Sequence, residues 1–140
     1  MKICRLGPGD EAEVERVAPL FDRPPHAEAM RAFLADPRSY LLVAYVDAQP
    51  AGFIRAHELR QLDTPRPQML LYEIGVADAF RRRGVARRLI AELEALCRAI
   101  DAEEMFVITN GSNHAAMELY RSTGGRREAE DDVVFVYAFS

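Results

Sequence analysis

Arg81, Arg82, Arg83, Arg87 and Arg88 cluster around Gly84 in a chain whose formal net charge is -4. A local basic cluster on an acidic protein points to one bound anion, not to nucleic acid, which needs a basic face. The segment Arg81-Arg82-Arg83-Gly84-Val85-Ala86 has the form R-x-x-G-x-A, and a helical period starts at its end. Helix N-termini carry unpaired N–H groups and the positive end of the helix dipole, so they take up phosphates. Gly84 lacks a Cβ and lets backbone approach a ligand, while small Ala86 keeps the first helical turn clear. N–H groups from Arg82 to Ala86 can then form a nest around a pyrophosphate, with arginine side chains on its outer oxygens. The same residues also fit a solvated basic helix start with an ordinary glycine. Two rival phosphate motifs are absent: GxxxxGK followed by Ser or Thr, and GxGxxG after a strand. What remains is a pyrophosphate of another kind, and coenzyme A carries one.

Glu73 is the single acid in the apolar run 69–76. Acids held in clefts often serve as proton acceptors, and the alternative is a carboxylate satisfied by an arginine in the core. His26, His57 and His114 show no ligand spacing, and Cys4 and Cys97 belong to no CxxC or Cys/His cluster. No metal site is expected from them, and the thiols read as buried or idle. Asp63 in a proline-bearing loop, and Glu128, Glu130, Asp131 and Asp132 further on, are either cation attractors or plain solvated acids.

These residues need a scaffold. With 140 residues, 49% apolar and 29% charged, the chain suits one globular domain with its own core. A strand at 3–6 and a helix capped by Asp10, with Val14, Val17, Ala18 and Phe21 on one side, open the pattern. A short helix carrying Ala27, Met30, Phe33 and Leu34 ends at Asp36-Pro37. Strands at 40–46 and 51–58 flank a turn at 47–50 and make an antiparallel hairpin. After a proline-bearing loop, 69–76 is nearly continuous in apolar residues, as expected of a central, doubly covered strand. Val85, Leu89, Leu93, Leu96 and Ile100 then recur at helical spacing. A strand at 105–109, a helix at 113–122 stopped by Gly124-Gly125, and two closing strands at 126–130 and 133–139 complete the order. The result is an α+β domain whose unit 69–109 is one parallel strand-helix-strand crossover. No stretch is long and apolar enough to span a bilayer, and no secretory segment follows residues 1–5, so a cytoplasmic protein without a membrane partner is expected.

The strand 70–76, the R-x-x-G-x-A turn and its helix, and then Asn113-x-x-Ala116-x-x-Leu119-Tyr120-x-x-x-Gly124 together resemble the GNAT superfamily of acetyl-CoA-dependent N-acetyltransferases. Cys4-Arg5-Leu6-Gly7-Pro8, Pro65-Arg66 and Leu71-Tyr72-Glu73-Ile74-Gly75-Val76 with Arg82-Arg83-Gly84 are similar to aminoglycoside 3-N-acetyltransferases in particular. The acidic, tyrosine-containing stretch of those enzymes is replaced here by Thr109-Asn110-Gly111-Ser112-Asn113. The resemblance implies a single acetyltransferase domain over 1–140, with a mixed, mostly antiparallel sheet flanked by helices. It implies that backbone of Ile74, Gly75 and Val76 binds the pantetheine arm, with the Val76 N–H on the thioester carbonyl. Arg81, Arg82, Arg83, Gly84, Val85 and Ala86 would hold the pyrophosphate, Asn113 would meet the pantetheine or thioester end, and Tyr120 would lie beside the sulfur.

Acetyl transfer to a primary amine sets three tasks. An alkyl ammonium with a pKa of roughly 10.4 must lose a proton, and Glu73 suits that task directly or through a water. The oxyanion needs a donor, which an unpaired strand N–H supplies. The thiolate needs a proton, and the Tyr120 phenol suits it, its alternative being a half-buried helix aromatic. The expected acceptor is a small-molecule amine, with an aminoglycoside-like polyamine as one form. A protein or peptide acetyltransferase and a non-catalytic acyl-CoA-binding module are the alternatives. A homodimer is expected by analogy with the superfamily.

Overall fold

The two apolar runs on either side of Asp47 find each other through a two-residue turn. Asp47 and Ala48 both have positive φ, 49° and 64°, the backbone that matches the twist of a tight hairpin. Strand β2 (Ser39–Val46) therefore hands over at once to β3 (Gln49–Leu59), a tighter turn than 47–50. The computed structural model describes residues 1–139. They form two compact units, Met1–Thr109 and a second from Asn110 onward.

The first unit holds a five-stranded sheet in the order β1-β2-β3-β4-β5, with β1 at Lys2–Arg5, β4 at Gln68–Val76 and β5 at Glu104–Val107. The neighbours from β1 to β4 are antiparallel, and only β4 and β5 run parallel. Parallel neighbours need a long crossover, here helix α3 (Val85–Ala99). Helix α1 (Glu11–Val17) and helix α2 (Ala27–Ala35) precede β2.

Alternation along β2 and β3 sends side chains to two covered faces. Leu41, Val43 and Phe53 join Val14, Val17 and Leu34 in one buried cluster with α1 and α2. Toward α3, where Val85, Leu89, Ile90 and Leu93 are buried, the sheet comes very close at Gly52. A Cβ on Gly52 would sit 2.9 Å from the Gly75 carbonyl oxygen and 2.9 Å from Val85 Cγ1. Glycine is thus required where the start of α3 rests on the sheet.

Three expectations change. The first helix stops at Val17, and a 3-10 turn over Ala18–Leu20, with Pro19 at its start, takes over; Phe21 is extended instead of helical. Asp10 precedes α1 but its carboxylate accepts from the Gly7 N–H at 2.8 Å, so it fixes the preceding turn and does not cap the helix. The strands expected at 126–130 and 133–139 are not formed. A β-rich composition makes a strand only where a neighbour supplies a ladder and a covered face. Here Val133, Val134, Phe135, Val136, Tyr137 and Phe139 are all exposed, Phe139 to 93%. Among its described residues the second unit keeps one regular element, helix α4 (His114–Ser122). Among the described residues no helix is long and apolar enough to cross a membrane.

Candidate active site

Strand β4 outruns its parallel partner. β5 pairs only with Gln68, Met69, Leu70 and Leu71, so residues 72–76 have β3 on one side and no strand of the sheet on the other. The Ala77 N–H donates to the Ala51 carbonyl at 2.8 Å. Since successive peptide groups of a strand alternate in direction, Gly75 also addresses β3, and Ile74 and Val76 turn their N–H and C=O groups outward. Expected contacts of Ile74 and Val76 therefore lie on an open strand edge, the geometry a ligand's own amides can extend.

Beyond β4 the chain makes a short 3-10 turn, Asp78–Phe80, and then the arginine turn. Arg82 (φ 61°) and Gly84 (φ 78°) both lie in the left-handed region. For Arg82 that conformation costs about 1–2 kcal/mol, a strain typical of functional turns. Mixed right- and left-handed residues make N–H groups converge into an anion-holding hollow. No side chain caps α3, and its first ladder bond runs from the Arg88 N–H to the Gly84 carbonyl at 3.0 Å. The place where a Gly84 Cβ would stand has no atom within 4 Å, so a ligand can reach the backbone there. Arg81 pairs with Asp78 at 3.0 Å, and the Arg83 guanidinium lies 5.4 Å from the centroid of Phe80. Arg81, Arg82, Arg83 and Gly84 are exposed, Ala86 is half-buried, and Val85 is the buried peg that seats the helix. The residues fit a pyrophosphate.

On the other face of β4 lies a cleft of about 580 Å³. Its floor includes Phe53 and Leu41, and its α2 wall carries Met30 and Phe33. The segment after α1 supplies Phe21 and Asp22. Glu73 reaches into it from β4 and is only 15% exposed. Its Oε1 pairs with Arg55 Nη2 at 3.2 Å, and its Oε2 accepts from the Asp22 N–H at 3.1 Å. Arg55 also lies over Tyr72, 4.3 Å from the ring centroid, and its Nε is buried without a partner. Arg55 is thus the residue that residue-type reasoning left unnamed. The available signal was a lone cation in the apolar strand opposite Glu73, with which it pairs across β3 and β4. Gly75 shapes the same place, because a Cβ there would come within 2.7 Å of the Phe53 ring.

The other acids and histidines fall elsewhere. Asp63 is exposed and does not line the cleft. His26 accepts from the Ala29 N–H at 3.2 Å and so caps α2. His57 shares a 3.3 Å contact with Ser39 Oγ and meets Phe33 and Tyr72 edge-on. Burial, and then the charge of Arg55, push its imidazole below the usual value. No group of three or more metal-ligating side chains occurs among the described residues. Cys4 and Cys97 are free and half-buried, and burial pushes the Cys97 thiol up.

Asn113 and Tyr120 belong to the second unit, each placed within it. Asn113 Oδ1 accepts from the Ala116 N–H at 3.1 Å and caps α4. Tyr120 is half-buried, and that burial raises its phenol above the ordinary value of 10.0. The Gly125 N–H donates to the Tyr120 carbonyl at 2.8 Å, and a Cβ on Gly125 would lie 2.9 Å from that same oxygen. Gly124, at φ 100°, lets the chain turn there. The two glycines end the helix as expected.

The acetyltransferase (GNAT) family profile matches residues 10–124. The chain belongs to this family. The GNAT match runs through both units and takes in the open edge, the arginine turn and α4. Among curated proteins, the N-alpha-acetyltransferase RimI of Mycobacterium tuberculosis is 30% identical over 116 residues, covering 83% of this chain and 70% of that protein. Among solved structures, an aminoglycoside acetyltransferase from an uncultured soil metagenomic sample, in complex with trehalose, is 25% identical with a TM-score of 0.87. That likeness covers 99% of this chain and 95% of the other. Aminoglycoside N-acetyltransferase AAC(6')-Iy, in complex with CoA, shares the GNAT fold at 21% identity and a TM-score of 0.77, over 99% of this chain and all of that one. The protein is an acetyl-CoA-dependent N-acetyltransferase, and acetyl-CoA is its co-substrate.

Proposed function

We propose that the enzyme acetylates a primary amine of a small molecule by direct attack, with the acceptor seated in the cleft beside Glu73. The observation that carries this reading is the pairing of two features on one strand. Outward-facing peptide groups of Ile74 and Val76 lead on to the turn where Arg82 and Gly84 have positive φ, while a carboxylate opens into a cleft on a covered face of the same strand. Glu73 takes the proton from the ammonium, directly or through one water. The Val76 N–H donates to the oxyanion as the N–C bond forms. As the C–S bond breaks, the Tyr120 hydroxyl gives its proton to the thiolate, and the attacking nitrogen gives up its second proton, which restores the phenol through solvent. Ile74, Gly75 and Asn113 hold the pantetheine arm, and the turn from Arg81 to Ala86 holds the pyrophosphate. One acetyltransferase domain spanning both units is part of this proposal, and the family match from 10 to 124 supports it.

Thiol release from acetyl-CoA across amines, polyamines, amino acids and peptides tests the reading. Bound acetyl-CoA with no amine-dependent turnover would defeat it. A peptide N-terminus is the second acceptor class, favoured by the 30% identical RimI relative. Tyr120→Phe should lower kcat about a hundredfold with acetyl-CoA affinity unchanged, the lower range for loss of one positioned proton donor. Because burial raises the phenol, its proton is held at neutral pH and the donor is lost only as pH climbs through that raised value. Unchanged turnover would remove Tyr120 from the mechanism.

We also propose a homodimer. The exposed apolar row from Val133 to Phe139 is the kind of surface that a partner covers, and a second copy is the partner proposed. Sedimentation across a concentration series should show dimers that Phe135→Asp weakens, and a monomer at every concentration would reject this.

A further inference from the structure

We infer, on the transferase reading above, that the acceptor is a monoamine with an apolar body and not a polycation. The charged lining of the cleft is balanced. Asp22 and Glu73 bring two negative charges, Arg23 and Arg55 two positive ones, so the formal sum is 2 − 2 = 0 with His26 neutral. Glu73 already accepts from Arg55 through Oε1 and from the Asp22 N–H through Oε2, which leaves it room for one further donor group. Arg55 is held from two directions, by that carboxylate and by the face of Tyr72. It is a fixed cation inside the cleft.

One incoming ammonium can be met by Asp22 and Glu73. A second has no further carboxylate among the lining residues and must lose its water beside a guanidinium, which opposes binding. The rest of the lining suits hydrocarbon. Phe21, Met30, Phe33, Leu34, Leu41 and Phe53 are apolar, and Phe21 already packs edge-on against Phe53 with ring centroids 4.8 Å apart. Tyr72, 59% exposed, adds an aromatic face. Sites of this make-up recognise a mostly apolar ligand through a few placed polar groups.

A homologous series tests the class. With the intact protein and acetyl-CoA, kcat/KM should rise about fourfold per methylene from propylamine to hexylamine, the effect of burying one CH₂. 1,6-Diaminohexane, which replaces the terminal methyl by an aminomethyl group, should fall about tenfold or more below hexylamine. Spermidine and kanamycin should fall lower still. A flat series, or a polyamine that equals or outruns hexylamine, overturns the inference while leaving the transferase reading intact. No turnover with any amine, with acetyl-CoA bound, overturns both. Ala29→Glu provides the second arm, because Ala29 is an exposed residue of α2 that lines the cleft and Glu is a good helix former. The added carboxylate should narrow the hexylamine to diaminohexane ratio about threefold or more without changing acetyl-CoA affinity. An unchanged ratio would mean that the acceptor sits elsewhere, and the inference would fall.

Discussion

Glu73→Gln should lower kcat by about a hundredfold at neutral pH, the lower range for loss of a positioned general base, with acetyl-CoA affinity unchanged. The variant also perturbs its neighbours. Both carboxylate oxygens of Glu73 accept from donors, Arg55 Nη2 and the Asp22 N–H, whereas an amide can accept on one side only. Its NH₂ group must then face a donor, a mismatch of about 1–3 kcal/mol if fully buried and less here, since Arg55 is 39% exposed. Thermal melting separates that loss from the chemistry. The pH profile separates them further. Without a base, only amine that is already neutral can attack, and that fraction grows tenfold per pH unit up to a pKa of roughly 10.4. The gap between wild type and variant should therefore close as pH rises. A gap constant from pH 7 to 10 would assign Glu73 to structure alone.

Gly84→Val should weaken acetyl-CoA binding by about a hundredfold or more. Loss of two charge-assisted hydrogen bonds at about 1.5 kcal/mol each already exceeds that factor. Gly84 has φ 78°, and nothing lies within 4 Å of the position its Cβ would take. In the free protein the substitution therefore brings conformational strain, about 1–2 kcal/mol, and no clash. Gly9 is the control. It too has positive φ, 94°, and open space around its missing Cβ, yet it lies far along the chain from the turn. Both valine variants should lose about 5 °C in Tm, but only Gly84→Val should lose the cofactor. Equal loss of affinity in the two variants, or none in either, would dismiss the turn as the pyrophosphate seat.

How much of this was legible beforehand depends on how local each signal is. The stripe through Val85, Leu89 and Leu93 reports a helix from within one segment, and all three are buried in α3. The run 69–76 read as a central, doubly covered strand; β4 matches its bounds to within one residue, but only Met69 and Leu71 are buried and β5 pairs with no residue beyond Leu71. An arginine partner for Glu73 was legible as the alternative to a free base, and the structure supplies one; that it is Arg55 depends on the register between β3 and β4, including the irregularity after Arg55. The cleft's outer side was not legible, since residues 21–26 have no period to read. The run 133–139 shows the opposite failure. Its valines and aromatics carry strong β propensity, but propensity cannot say whether a ladder partner is present.

Gly75 and Phe53 touch across two strands, with no room for even a methyl group between them. Phe53 is floor to the cleft, and Gly75 lies between the two residues whose peptide groups face outward. On the proposed mechanism, a substitution at either position reshapes the seats of both reactants together, and most changes there should be lost by selection. Met30 and Phe33 stand on α2, away from that shared contact. Descendants of such an enzyme can drift in acceptor preference through the α2 wall while the floor stays constant. If the acceptor sits in the cleft as proposed, diversity in the amine accepted accumulates on one helix, with the floor beneath it inherited unchanged.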